Sequence, residues 1–462
     1  MFKPVVFFRS NLTLFNIIIF VHELGHFWAA KWRGLQIDRF QIWFGKPIWK
    51  KTINGVQYGL GWIPAGGFVA LPQMAPMEAI EGDNKNDKPL PPIKPLDKII
   101  VAFAGPLFSM LLALLSAVVI WGIGKPKDMV PTQTIGYVKA DSPADRAGLK
   151  PGDVIIAING EKVDGFRGSL QSITERIILS SSEKLVFTVR REGLDQPIDI
   201  ISDYEVDDTK WWQRGGLRKV GIGAKDVLVV GKLIANGPAE KAGLKVGDQA
   251  THIDGVEIHN WLAFRDHLEK KEWDSFVLSV KSPDGTVREV VITPERPTKP
   301  KGANPQIGVY WDGRAGIDTR IVNPGPLKQV GDSLEMMWVT VGHLVNPRSE
   351  VGFGHLSGPV GIFGLMMDLL KTEDGWRRII AFMVLFNVNL AILNMLPMPV
   401  LDGGHITLAM LEKIFGRPVS TKPLEIIQTA CALALISLML YVTSKDVSDR
   451  VGGGDEPTEF AE

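Results

Sequence analysis

His22-Glu23-Leu24-Gly25-His26 sets two imidazoles and a carboxylate within five positions. On a helix, residues four apart share a face, so both imidazoles reach one ion and Glu23 stands beside water held there. Two neutral imidazoles suit one Zn²⁺ ion kept with an open position, which lowers the pKa of its water to about 7. Glu23 is the candidate general base: it takes a proton as hydroxide attacks a carbonyl and passes it to the leaving amine. The bland alternative, two histidines hydrogen-bonded to neighbouring helices, leaves Glu23 without a partner.

A third ligand must complete the site. The soluble pattern with a following Gly and a third His fails, because positions 29 and 32 are Ala29 and Trp32. A nearby glutamate fails too, since no Glu occurs between Phe27 and Met77. The best distant candidate is Asp402, the first charge after a long apolar run, in Asn394-Met-Leu-Pro-Met-Pro-Val-Leu-Asp-Gly-Gly404. Pro397 and Pro399 break a helix there, and broken backbone at membrane depth survives only beside protein or a wet cavity. His405 is a rival ligand that spacing leaves open, and an interfacial helix cap is the plain reading of Asp402.

The elements around these residues are apolar and long. Ile99–Gly124 has 26 uncharged positions, Ile379–Leu401 has 23 and Ile426–Thr443 has 18, while Asn11–Ala30 carries the His/Glu motif. About 20 helical residues cross a bilayer core, so four spans are expected. The N-terminal run reads as a retained span, since it continues into His22 and lacks a clear small-residue cleavage site. Ten Lys/Arg between Lys31 and Lys98, with Lys413, Arg417 and Lys422 later, place both basic connections in the cytoplasm. Both termini and the long region between the second and third spans then lie outside. The 51 basic and 51 acidic residues cancel, which argues against a nucleic-acid partner acting through net charge. The single Cys431 excludes an intrachain disulfide or a Cys-rich zinc cluster.

The outer region contains a repeat. Ser142-Pro-Ala-Asp-Arg-Ala-Gly-Leu-Lys-Pro-Gly-Asp153 matches Gly237-Pro-Ala-Glu-Lys-Ala-Gly-Leu-Lys-Val-Gly-Asp248, and Ile158-Asn-Gly160 matches Ile253-Asp-Gly255. Two such copies indicate a duplicated domain, each with a Pro-started helical turn and an Asn-Gly or Asp-Gly hairpin. The pattern resembles bacterial PDZ domains, which implies peptide or chain-terminus ligands bound beside a strand. Spacers without a ligand are the alternative. Tyr204–Arg218 and Glu295–Ala303 read as linkers.

Gln57–Gln73 (QYGLGWIPAGGFVALPQ) alternates like a β-hairpin dipping into the membrane, an edge able to clamp an unwound substrate by strand addition. Gly66, Gly67 and Phe68 are its candidate substrate contacts. Leu334, Met337, Trp338, Val341, Leu344 and Val345 fall at helical spacing, which predicts an amphipathic helix within Leu327–Val345.

Together, HExxH in a first span, NxxPxPxLDG in a third and tandem PDZ domains between them resemble the site-2 protease family of intramembrane metalloproteases. The resemblance covers nearly the whole chain. It implies that His22, His26 and Asp402 ligate zinc, that Glu23 is the base, and that Asn394, Pro397 and Pro399 place the substrate backbone. It also implies single-span membrane substrates already trimmed on their outer side, such as anti-sigma factors or remnant signal peptides, with the PDZ domains as a size filter. The implied setting is the bacterial inner membrane, with termini and PDZ domains periplasmic and the active site near the cytoplasmic side. The alternatives are a catalytically inactive PDZ scaffold and a metal transporter, which would show repeated halves inside the membrane.

The expected fold class is a multi-pass α-helical membrane protein (four transmembrane helices) with a membrane-associated β-hairpin or sheet and two extracytoplasmic PDZ (α+β) domains. The expected order begins with a first span at 1–32, a cytoplasmic-side segment with the hairpin at 33–98 and a second span at 99–124. PDZ domains follow at 130–203 and 219–297, then amphipathic and juxtamembrane helices at 327–370. A third span at 376–404, a fourth at 424–443 and an acidic tail at 444–462 complete it.

Overall fold

The computed structural model describes residues 4–74, 93–271, 274–300, 303–416, 421–452 and 458–460. Parts of the segment between the first two spans (75–92), of the last basic connection (417–420) and of the acidic tail (453–457 and 461–462) lie outside the described residues. The chain forms two compact units. The first comprises Met1–Pro126, Ile321–Val341 and Ser357–Asp446; the second comprises Lys127–Arg320, Gly342–Leu356 and Val447–Glu462.

In the first unit, α1 (Pro4–Arg33) and α2 (Pro95–Ile123) are the two long apolar helices. Pro95 opens α2 at a position where its missing N–H costs nothing, and Gly124 stops it. Between them lies a sheet of β1 (Arg39–Phe44), β2 (Trp49–Ile53), β3 (Val56–Leu60) and β4 (Ile63–Ala70). Phe27, Ala30, Phe40, Val69 and Val101 knit α1, the sheet and α2 into one core.

After Arg320 come α3 (Pro326–Val345), α4 (Pro359–Lys371), α5 (Gly375–Asn394), α6 (Asp402–Phe415) and α7 (Thr421–Gly452). Helix α2 is the hub, packing against α1, α5 and α6. The predicted amphipathic helix is present as α3. It buries Gln329 and Ser333, while Trp338 stands 71% exposed. Gln329 Nε2 donates to the Ala117 carbonyl of α2.

Two expectations need correction. Gln57–Gln73 is not a hairpin: the sheet order is β2-β3-β1-β4, with β1 inserted between β3 and β4. Strand β1 pairs in parallel with β3 and antiparallel with β4. The tight turn is instead Asn54-Gly55, both at positive φ, which joins β2 to β3 in the geometry that matches strand twist. Alternation of side chains reports that a strand is half-buried, but not which strand lies beside it.

The four stretches expected to span are all described helices of membrane length. Five described helices are long and apolar enough to cross a membrane, the additional one being Phe353–Lys371. Its α-helical part, α4, has 13 residues. At 1.5 Å per residue that is about 20 Å, against roughly 30 Å for a bilayer's hydrocarbon core.

The second correction concerns domain edges in the second unit. Ile222–Ala224 pairs with Ile135–Val138, and Val220 is buried in the core of the first repeat. Residues 219–224 therefore complete the first repeat, which ends beyond 203. Ile307, Val309 and Trp311 likewise pack into the second repeat, beyond 297. Each repeat takes its last strand from chain that sequence assigns elsewhere. The segment 204–218 is no plain linker, since Glu205–Val206 pairs with Arg218–Lys219. The repeats otherwise match: Val154–Ile158 corresponds to Gln249–Ile253, and the buried carboxylates Asp153 and Asp248 each meet an arginine, Arg191 and Arg288.

Candidate metal centre

Helix α1 carries His22, Glu23 and His26 one turn apart, each no more than 9% exposed. Two small residues let α2 approach them. A Cβ on Gly25 would strike the Ala104 carbonyl, and a Cβ on Gly105 would overlap His26 Nε2 and come 2.9 Å from His22 Nε2. Small residues at helix crossings in membranes allow such backbone approach. Gly105 has a functional place that the sequence reading missed; a glycine inside an uncharged helix just before Pro106 was the available signal.

Helix α2 also orients the rings. His26 Nδ1 lies 2.8 Å from the Val101 carbonyl oxygen, which only accepts, so Nδ1 carries the proton and Nε2 presents its lone pair. His22 Nδ1 lies 3.0 Å from Ser109 Oγ, a fully buried hydroxyl. Such outer partners fix the tautomer of ligating histidines.

Asp402 reaches these rings from the far end of the chain. Helix α5 stops at Asn394, and the Pro397–Pro399 stretch carries the chain to α6, which begins at Asp402. The turn is so tight that a Cβ on Gly403 or Gly404 would run into the carbonyls of Met395, Leu396 and Met398. Asp402 Oδ2 lies 3.3 Å from His22 Nε2, and Oδ1 lies 3.3 Å from His26 Nε2. The two Nε2 atoms are themselves 3.3 Å apart.

One potential ligand atom from each of the three residues falls within 4.8 Å of the other two. Asp402 Oδ2 is buried without a hydrogen-bond partner. A convergence of acceptor atoms away from water is unfavourable unless a cation sits among them, so the donor set fits a divalent metal. His405, the rival ligand, lines the same cavity but stands outside this cluster.

The cavity has a volume of about 320 Å³ and joins the remaining predicted residues: Glu23, Gly66, Gly67, Phe68 and Asn394 all line it. Pro397 and Pro399 are not among its lining residues; they form the break that turns Asp402 inward. Gly67 is pressed against the motif helix, where a Cβ would sit 2.9 Å from Ile19 Cγ2 and 3.3 Å from Glu23 Cγ. Strand β4 is an edge of its sheet, with no described strand on its outer side.

An HExxH helix and a remote carboxylate that close on one point, among apolar helices of membrane length, define a membrane-embedded metallopeptidase. Comparison with known proteins agrees. The model of peptidase family M50 matches residues 11–438. The chain therefore belongs to peptidase family M50, the site-2 protease family, and is a zinc metalloprotease. It is a multi-pass protein of the bacterial inner membrane.

The regulator of sigma-E protease RseP of Escherichia coli K12 is 28% identical over 469 residues, covering 95% of this chain and 98% of its own. A regulator of sigma E protease from Haemophilus influenzae is 27% identical over 445 residues, covering 95% and 97%. A Pasteurella multocida chain, provisionally named a zinc metalloprotease, is 27% identical over 464 residues, covering 95% and 98%. Among solved structures, the PDZ domain of an SdrC-like protein from Listeria monocytogenes covers 19% of this chain and 90% of its own, at 23% identity and a TM-score of 0.17. That likeness is too slight to argue from.

Proposed function

We propose that this protease cuts a peptide bond within or near the transmembrane segment of single-span membrane proteins, using His22, His26 and Asp402 to hold one zinc ion. The observation that carries the reading is the convergence of these ligand atoms within 4.8 Å, with both Nδ1 atoms turned to other partners. When bound, zinc polarises a carbonyl and brings the pKa of its water to about 7.

The chain's own residues do the rest. Glu23 takes a proton from the attacking water and delivers it to the departing amide nitrogen as the C–N bond breaks. Val101 and Ser109 keep the imidazoles oriented. A transmembrane helix hides its carbonyls in its own hydrogen bonds, so a substrate must be extended before water can attack. The free edge of β4, with Gly66, Gly67 and Phe68 in the cavity, supports clamping of such a strand by backbone pairing. Asn394, which lines the same cavity, is a further backbone contact, and the Pro397–Pro399 break turns Asp402 toward the imidazoles.

The names of the sigma-E relatives favour substrates of anti-sigma-factor type; their prior shortening on the outer side, and remnant signal peptides as a second class, follow from the family resemblance. The two repeats of the second unit act as PDZ-type substrate filters. The charge pattern supports four spans with the termini and repeats on the periplasmic side and the metal centre near the cytoplasmic side.

The test uses purified full-length protein and a pre-trimmed single-span substrate. Glu23→Gln is expected to keep zinc and lose cleavage by roughly 10²–10⁴-fold. Asp402→Asn and His22→Ala are expected to lose zinc as well. Undiminished proteolysis by Glu23→Gln rejects the assignment.

A further inference from the structure

The second unit holds an intramolecular contact that its repeat symmetry isolates. Beyond the last helix, Glu459 forms an antiparallel bridge with Lys299. The Glu459 carbonyl accepts from the Thr298 N–H at 2.7 Å and from Thr298 Oγ1 at 2.9 Å, while the Glu459 N–H donates to the Lys299 carbonyl at 3.1 Å. Glu459 Oε2 lies 2.9 Å from Lys299 Nζ. The next side chain, Phe460, is 8% exposed, with its ring against Gly237 and Gly308.

The first repeat shows what belongs there otherwise. Its backbone hydrogen bonds from Lys139 and Ala144 to Gly221 and Val220 correspond to those from Ile234 and Ala239 to Gly308 and Ile307. Gly221 and Gly308 are thus the same position, both at positive φ. A Cβ on Gly221 would come within 2.6 Å of Ser142 Oγ, so the serine side chain fills that space in the first repeat. The same serine caps its helical turn by accepting from the Asp145 N–H. In the second repeat Gly237 takes the serine's place, the cap is absent, and the space receives Phe460, whose ring would lie 3.1 Å from a Cβ on Gly308. Backbone pairing beside a pocket that takes a side chain is the physics of peptide capture by strand addition.

We propose that the second repeat carries a peptide site formed by Gly237, Gly308 and the Thr298–Lys299 edge, selective for an extended chain with an acidic residue followed by an aromatic one, and that Glu459-Phe460 occupies it in cis. A foreign chain with the same pair reaches the site only by displacing this segment. The proposal stands on the second unit alone and does not depend on the metal centre.

A fluorescent peptide of residues 454–462 tests it by anisotropy against full-length protein. A tethered occupant competes at millimolar effective concentration. Wild type is therefore expected to bind the peptide at least about 10-fold more weakly than the Phe460→Ala chain. The Phe460→Ala chain should ignore the peptide whose own Phe is replaced by Ala. It should also lose the native peptide when Gly237→Ser, the residue of the first repeat, refills the space. In parallel, the Thr298 and Lys299 amides should exchange at least about 10-fold faster in Phe460→Ala than in wild type. Equal binding to wild type and Phe460→Ala, indifference to the peptide's Phe, or unchanged exchange overturns the proposal.

Discussion

Replacing Gly105 by alanine adds one methyl group where the two helices of the metal centre touch. The new Cβ would stand 2.9 Å from His22 Nε2 and overlap His26 Nε2. Comfortable separations between non-bonded heavy atoms are about 3.5–4.0 Å, so the His22 ring must yield by about 0.6 Å or more and the His26 ring further. Neither ring moves freely, because Ser109 and the Val101 carbonyl hold the opposite nitrogens. Overpacking of this kind costs about 1–3 kcal/mol in stability. The larger effect falls on function, because the displaced atoms are the proposed ligand atoms themselves. A shift of about 1 Å in a reacting geometry costs about 10²-fold in rate, and disturbed ligand orientation costs about 10–100-fold in metal affinity. Zinc retention after dialysis against a graded chelator reads the affinity, and turnover of a pre-trimmed single-span substrate reads the rate. Gly122→Ala is the control, since a Cβ there on the same helix meets nothing within 4 Å. If Gly105→Ala keeps wild-type zinc and wild-type turnover, the close approach of α2 to the ligand atoms is wrong.

Ser109→Ala removes the outer partner of His22 while leaving all three ligands, and zinc affinity should fall about 10–100-fold in competition titration; full retention would mean the hydroxyl is only packing. The second repeat gives a pH prediction through Asp254. Burial raises its pKa, but bonds from Lys271 Nζ, the Val277 N–H and His267 Nε2 outweigh that and hold it at about 2, below the ordinary 3.8. A depressed carboxyl pKa contributes stability above the unfolded value, so the contribution is complete above about pH 4 and lost as pH falls through 2. Asp254→Asn should flatten the acid limb of unfolding in that window; an unchanged limb would remove Asp254 as its cause.

How much of this could be read without coordinates differs between residues. HExxH is a local arrangement: helical geometry alone puts His22 and His26 on one face, so the motif needed no tertiary information. Membrane-length helices are similarly local, because the absence of charge over 26 positions is itself the physical requirement for burial in lipid. The match, at an offset of 95 residues, between the segments that begin at Ser142 and Gly237 declares a duplication for the same reason, since like sequences meet like local constraints.

Partnership between distant stretches was a different matter. Sequence favoured Asp402 but spacing left His405 as a rival, and only the folded turn after Asn394 brings the carboxylate against both imidazoles while His405 lines the wall. Gly105 looked like any small residue in an apolar helix until α1 was laid against it. Strand β1 entered between β3 and β4, and residues 219–224 joined the first repeat, although nothing in their composition names those partners. Periodicity records how each side chain relates to its own backbone and to burial. Which remote segment fills the other side depends on the total packing, weighed against a loop-closure entropy that changes only slowly with separation. That balance belongs to the whole fold, so the candidate metal ligands were named by sequence and brought together by tertiary structure.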